Sequence, residues 1–254
     1  MKERDLISII MPAYNCEKYI AAAVQSVIEQ TYDNWELIIV NDCSTDNTPN
    51  IIKDFQRKDS RIKIYENAQN LGVSATRNRC ISEASGEWVA FLDSDDMWDA
   101  RKLDLQIKYA QKNTAGFIFT GASYIDENGE KYKGIFEIPE KAAYKDLLKQ
   151  NVISCSSAMA KREYFDDVKM ENDDIHEDFC VWLRILRSVD FAHGINEPLL
   201  IYRITRASKS GNKMKSARMT YKTYRYAGLG RVKSWYYMTF YIARSLKKYR
   251  KILR

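Results

Sequence analysis

Asp93, Asp95 and Asp96 crowd into four residues directly behind a short apolar run, WVAFL at residues 88–92. An uninterrupted apolar run of that length reads as a buried strand. Three carboxylates cannot all stay ionised and unpaired in an apolar interior, because desolvating charge is very costly. They are therefore expected at the carboxyl end of the strand, facing the crevice in which open α/β sheets bind ligands. A hard divalent cation is the partner that suits such an oxygen-donor cluster. Asp99, ahead of residues 101–105, can serve as a helix N-cap, but a cap does not account for Asp93 and Asp95. A second acidic pair, Glu177-Asp178, precedes the helical run 179–188. Taken alone it says only that a helix dipole favours acid at its start.

The elements that must position these groups can be read in order. Residues 6–11 form a β-rich run stopped by Pro12. A helix from Asn15 or Glu17 to Gln30 places Ile20, Val24, Val27 and Ile28 on one face. Residues 35–40 make a second strand ending in the polar sequence NDCSTD. Thr45 or Asp46 caps the helix over 48–58. A third strand (62–65), a polar loop (66–72), a helix (74–84) and a turn at Gly86 lead into the run 88–92. Strands alternating with helices predict a parallel, doubly wound sheet with right-handed crossovers.

Polar residues stand at the strand ends: Tyr14 and Asn15 after the first, Asp42 after the second, Asp93–Asp96 after the fourth. That repetition is what a nucleotide crevice needs. Asp42 can accept from a base N–H or from ribose hydroxyls. Arg77, in the first turn of its helix, is placed for a phosphate or a base carbonyl. Neither GxGxxG nor GxxxxGK[ST] occurs, which argues against a nicotinamide fold and a P-loop.

The chain has 254 residues, 45% hydrophobic and 12% aromatic, enough for one large α/β domain or for one domain with an appendage. Its net charge of +6 hides an asymmetry, since residues 198–254 hold 16 Lys and Arg and no Asp or Glu. A basic tail on an acidic body points to an anionic contact, membrane surface or nucleic acid. Five scattered cysteines without a CxxC pair suit a reducing cytosol. With His176 and His193 the only histidines, a zinc site is not expected. The run 6–11 is too short for a signal peptide, and no apolar stretch approaches a bilayer span.

Four ordered motifs carry a resemblance: PAYN (12–15), VNDCSTDNT (40–48), NLGVSATRN (70–78) and GEWVAFLDSDDMW (86–98). They resemble the family 2 glycosyltransferases. The resemblance implies a GT-A type Rossmann-like, mostly parallel sheet flanked by helices, Mn2+ or Mg2+ as cofactor, and inversion at the anomeric carbon. It implies nucleotide contacts at Pro12, Ala13, Tyr14, Asp42, Arg77, Asp93 and Ser94, with Asp93 near the ribose and Asp95 on the metal at the diphosphate. The stretch EDFCVWLR resembles the family's Glu-Asp motif, which makes Asp178 the catalytic base.

Beyond residue 98 the pattern is less specific. A helix over 101–112, a strand near 117–120 and an Asn-Gly turn in residues 126–130 are expected. Helices at 144–150 and 162–168 flank a strand near 157–160, and residues 198–204 read as a last strand. YRITRASKS (202–210) resembles a family stretch whose His aligns with Thr205; its role would be vacant or pass to Arg203, Arg206 or Lys209. The Gln-x-x-Arg-Trp signature of processive synthases is missing. Residues 1–210 are thus expected to be the transferase domain, with a nucleotide-binding half (1–98) and an acceptor half (99–210).

Residues 211–254 form a basic helical tail divided near Gly228–Gly230. Trp235, Met238, Ile242, Leu246 and Tyr249 recur there at helical spacing among lysines and arginines, the pattern either of a packed stripe or of an interfacial helix. Similar tails occur on bacterial capsule, teichuronic acid and lipopolysaccharide glycosyltransferases with lipid-linked acceptors. The expectation is a metal-dependent inverting transferase moving one sugar from a nucleotide diphosphate sugar, a UDP-sugar, to a lipid-linked saccharide. It would be cytoplasmic and peripheral on the inner membrane face, with an anionic membrane surface and no nucleic acid as partner. A sugar-nucleotide nucleotidyltransferase and a non-catalytic basic binding protein are the alternatives.

Overall fold

The computed structural model describes residues 5–171, 174–205 and 213–252. The first half alternates strand and helix: β1 (Ile7–Ala13), α1 (Ile20–Ile28), β2 (Trp35–Asn41), α2 (Thr48–Lys58), β3 (Ile62–Glu66), α3 (Val73–Ser82) and β4 (Trp88–Phe91). Then follow β5 (Met97–Trp98), α4 (Lys102–Asn113), β6 (Phe117–Ile125), β7 (Lys131–Phe136), β8 (Lys141–Ala142), α5 (Tyr144–Lys149) and β9 (Met159–Lys161). The chain continues through α6 (Glu177–Ile185), β10 (Ala192–Arg203), α7 (Lys213–Tyr226) and α8 (Arg231–Ile252).

Among the described residues these strands make one ten-stranded sheet, ordered β3-β2-β1-β4-β9-β6-β10-β5, with β7 beside β6 and β8 beside β10. The β1–β2, β2–β3 and β1–β4 pairs are parallel, as the alternating pattern predicts, and β6–β10 is parallel as well. Antiparallel β9 bridges β4 and β6, so the strands before and after residue 98 share one sheet.

The continuous apolar runs of β1, β2 and β4 are buried on both faces, as central parallel strands must be. Ile9, Leu37 and Ala90 pack beneath α1, α2 and α4. Their neighbours Ile10, Ile38 and Val89 pack on the opposite face, in a core shared with Trp182 of α6 and with Tyr224 and Met238 of α7 and α8. The C-terminal helices therefore close the second helical layer, and part of the tail is core.

Four differences from the sequence expectations have local causes. Pro12 does not stop β1, which runs on to Ala13 along β2. It ends the pairing with β4 instead: Leu92 N–H donates to Ile10 O, and the next rung would need an N–H that proline lacks. The two strands part there, and the crevice opens. Helix α1 starts at Ile20, because residues 15–17 are tied to the loop after β2. Asn15 N–H donates to Ser44 Oγ, Thr45 N–H to Asn15 Oδ1, and Glu17 N–H to Asp46 Oδ2. The segment expected as a helix over 162–168 is a 3-10 turn, Arg162–Phe165, in which Arg162 Nε donates to Gly86 O. Strands β6 and β10 are longer than their apolar runs because each is the other's parallel partner.

Candidate active site

The loop after β4 shows why three carboxylates are needed. Asp96 is fully buried and structural: its Oδ2 accepts from Ser156 Oγ at 2.6 Å and its Oδ1 from Arg203 N–H at 2.9 Å. The Ser156 hydroxyl also accepts from Asp93 N–H at 3.1 Å, so one side chain pins both ends of the loop. Arg203 Nε donates to Asp95 O at 2.9 Å, and the guanidinium lies 4.6 Å from the Tyr19 ring. Asp93, Ser94 and Asp95 are left partly exposed on the crevice side. No hydrogen bond from another described residue reaches the Asp95 carboxylate, and burial with repulsion from Asp93 pushes it up to about 6.

Arg77 lies deeper than a surface phosphate ligand would. It is buried, with Nη2 2.5 Å from Asp93 Oδ1 and Nη1 2.6 Å from Glu177 Oε1, while its Nε has no partner among the described residues. A guanidinium fork suits two carboxylates at once. It thereby ties the carboxylate loop to the first turn of α6, 100 positions away in sequence from Arg77.

Asp178, next to Glu177, is pushed up to about 6 by burial and by the Glu177 charge. One of its oxygens accepts from Phe179 N–H at 2.7 Å. The residue before the pair is held from α7: His176 N–H donates to Thr223 Oγ1 at 3.0 Å, and its Nε2 lies 3.2 Å from Ser216 O.

Asp42 is buried, and its carboxylate accepts from Asn67 Nδ2, Leu71 N–H and Gly72 N–H at 2.7–2.9 Å. It thus sets the loop that enters α3, where Gly72 has φ +84° and no side chain to clash. Ala13 is core, with its carbonyl accepting from Asp42 N–H. Pro12 is partly exposed, and Tyr14 stands 51% exposed after β1 with its ring open to a ligand. Thr205 is partly buried at the end of β10. Arg203 is occupied as described, and Arg206 and Lys209 lie outside the described residues.

The roles of Ser156, Thr223 and Ser216 carry no sequence signal, being lone hydroxyls in unpatterned stretches. Arg203 was legible only as a candidate cation. For a divalent ion the donor chemistry fits: Asp95 offers hard oxygen in a surplus of negative charge. Among the described residues no cluster of three or more His, Cys, Asp or Glu could hold an ion unaided, so substrate phosphate and water would complete the shell.

The open, mostly parallel α/β sheet flanked by helices is a fold of the GT-A type. The profile of glycosyl transferase family 2 matches residues 8–169, and the chain belongs to that family. Bacillus subtilis TuaG, named for glycosyl transfer in teichuronic acid biosynthesis, is 38% identical over 222 residues, 87% of this chain and 88% of TuaG. The Escherichia coli enzyme WfgD, named as a UDP-Glc:α-D-GlcNAc-diphosphoundecaprenol β-1,3-glucosyltransferase, is 39% identical over 213 residues, 83% of this chain and 81% of WfgD. Among solved structures, S. aureus TarS with UDP-GlcNAc superposes with a TM-score of 0.71 at 20% identity, covering 95% of this chain and 72% of the TarS chain. The Pyrobaculum calidifontis mannosyltransferase with GDP-Man and Mn2+ does so at 0.71 and 18%, covering 94% and 69%. Family membership favours the glycosyltransferase over both alternatives.

Proposed function

We propose that the chain moves one sugar per encounter, with inversion, from a UDP-sugar to a saccharide carried on a lipid diphosphate, in bacterial surface polysaccharide synthesis. Asp93 faces the ribose and is oriented by Arg77. Tyr14, exposed after β1, offers its ring to the base. Asp95 would hold Mn2+ or Mg2+, which supplies charge neutralisation for the departing diphosphate. Asp178 accepts the proton of the acceptor hydroxyl as that oxygen bonds to the anomeric carbon. The bond from that carbon to the diphosphate oxygen breaks on the opposite face, leaving its electron pair on the nucleotide. A carboxyl pushed up to about 6 is a stronger base than an ordinary aspartate yet ionised at neutral pH.

The observation that carries this reading is the Asp93–Arg77–Glu177 chain of ion pairs, which fixes the base helix against the donor-side carboxylates. The reading fits the substrates printed in the names of WfgD and TarS. A thermal-shift panel of nucleotide sugars with and without Mn2+ tests it, because a ligand of the folded state raises its melting temperature. UDP-sugars are expected to stabilise the protein only with the ion, and Asp95→Ala to abolish that shift without lowering the melting temperature of the free protein. Equal stabilisation with and without Mn2+, unchanged in Asp95→Ala, would contradict it.

A further inference from the structure

Helix α8 is apolar on two sides. At 3.6 residues per turn, Ser234, Met238 and Tyr241 share the face toward the domain. Ser234 and Met238 are buried there, and Tyr241 OH lies 3.1 Å from Ser216 Oγ. Val232, Trp235, Tyr236 and Ile242 lie along the adjoining outer side and are 83%, 62%, 57% and 49% exposed, with the Trp235 ring centred 5.2 Å from the Tyr221 ring of α7. An ordinary surface helix buries its apolar stripe and turns polar residues outward. Here one stripe meets the core and a second is presented to solvent, flanked by the exposed cations Arg231, Lys233 and Arg244.

We infer that this outward face docks on an anionic bilayer surface, with Trp235 and Ile242 entering the headgroup–acyl boundary and the flanking cations against lipid headgroups. Trp and Tyr suit that boundary because each joins an apolar ring to a polar atom. The charge is complementary, since residues 198–254 contain 16 Lys and Arg and no Asp or Glu. A second copy of the chain is a poorer occupant. A two-fold contact through this face would set its cationic rims against each other with no acid on the helix to pair them. A nucleic acid would engage the cations but leave Val232 and Ile242 uncovered. Among the described residues no helix is long and apolar enough to cross a membrane, so docking would be along the surface. Helix α8 packs on α7, which holds His176 ahead of the base through Thr223, so docking would carry the crevice to the membrane. The inference stands independently of the donor and acceptor assignments, because vesicles without any substrate test it.

The test uses the full chain with vesicles of phosphatidylglycerol and, separately, of phosphatidylcholine. Of the five tryptophans, Trp235 is exposed and Trp35, Trp88, Trp98 and Trp182 are buried, so quenching by brominated lipid reports Trp235. The protein is expected to sediment with phosphatidylglycerol vesicles at low salt, to be quenched by brominated lipid, and to be released as salt screens the attraction. Val232→Glu with Ile242→Glu, which leaves the Trp235–Tyr221 contact in place, should weaken partitioning by about tenfold or more with an unchanged melting temperature. Lys233→Gln with Arg244→Gln, which spares the apolar face, should weaken binding and flatten its salt dependence. A full chain that ignores phosphatidylglycerol at low salt overturns the inference. So does vesicle binding that both variants retain, or a concentration-dependent dimer that covers Trp235 in place of vesicle binding.

Discussion

Glu36 at one end of the sheet, and Asp95 and Asp178 at the other, are carboxylates held in opposite ways, although Asp42 and Asp96 at that second end are hydrogen-bonded as Glu36 is. At the amino ends of the strands, Glu36 of β2 accepts from Ser8 Oγ at 2.5 Å, Lys63 Nζ at 2.6 Å, Ser85 N–H at 2.7 Å and Ser85 Oγ at 2.8 Å. Burial pushes this carboxyl up, but Lys63, Ser8 and Ser85 outweigh it and hold it down to about 2. At the carboxyl ends, burial and like charge push Asp95 and Asp178 up to about 6. The same backbone also carries Cys43 at φ +62° on the site side, a left-handed conformation costly for a residue with a Cβ. A saturated carboxylate closes a fold. An undersaturated one is what a cation or an acceptor proton needs, and its cost to stability is borne by the other end.

Linkage gives the contrast a sign. Glu36, depressed from its ordinary value, contributes stability that is present above the unfolded carboxylate range and is lost as pH falls toward 2. Asp178, raised from 3.8, makes the folded state bind more protons than the unfolded one up to about 6, so stability falls as pH rises through that window.

The largest expected effect of breaking this contrast is at the closed end. Glu36→Ala strands the buried Ser8 hydroxyl and should cost about 3 kcal/mol in urea unfolding at neutral pH. That loss should shrink in acid, where the wild-type carboxylate is itself protonated. The smaller effect has the opposite sign. Asp178→Asn should raise stability by about 2 kcal/mol in mildly alkaline buffer, and the gain should fade below about pH 4. Denaturant curves for both variants across pH check the pair. Two variants that destabilise alike, with the same pH slope, would remove the contrast.

How much of this was legible depended on the range of the interaction. The runs of β1, β2 and β4, with NDCSTD and DSDD behind them, are local signals, and they located the crevice. The Asn-Gly signal located the turn between β6 and β7. Residues 192–197 are polar and irregular, and they join β10 through pairing with β6, which no local pattern announces. Arg77 read as a ligand for a phosphate or a base carbonyl, and its ion pair with Glu177 was not legible because the two are remote in sequence. Asp96 looked like one more site carboxylate until Ser156 and Arg203 closed over it. The stripe over Trp235, Met238 and Ile242 mixed two faces, Met238 inward and the other two outward; its Leu246 and Tyr249 side chains lie outside the described residues.

In the proposed mechanism the undersaturated end supplies the base, and the transfer rate of Asp178→Asn as a function of pH tests that most directly. With donor affinity retained, turnover should fall by roughly two to four orders of magnitude. The wild-type rate should decline in acid with a midpoint near 6, and that limb should be missing from the variant. Near-normal turnover in Asp178→Asn, with the acid limb intact, would place the proton transfer elsewhere and contradict the assignment.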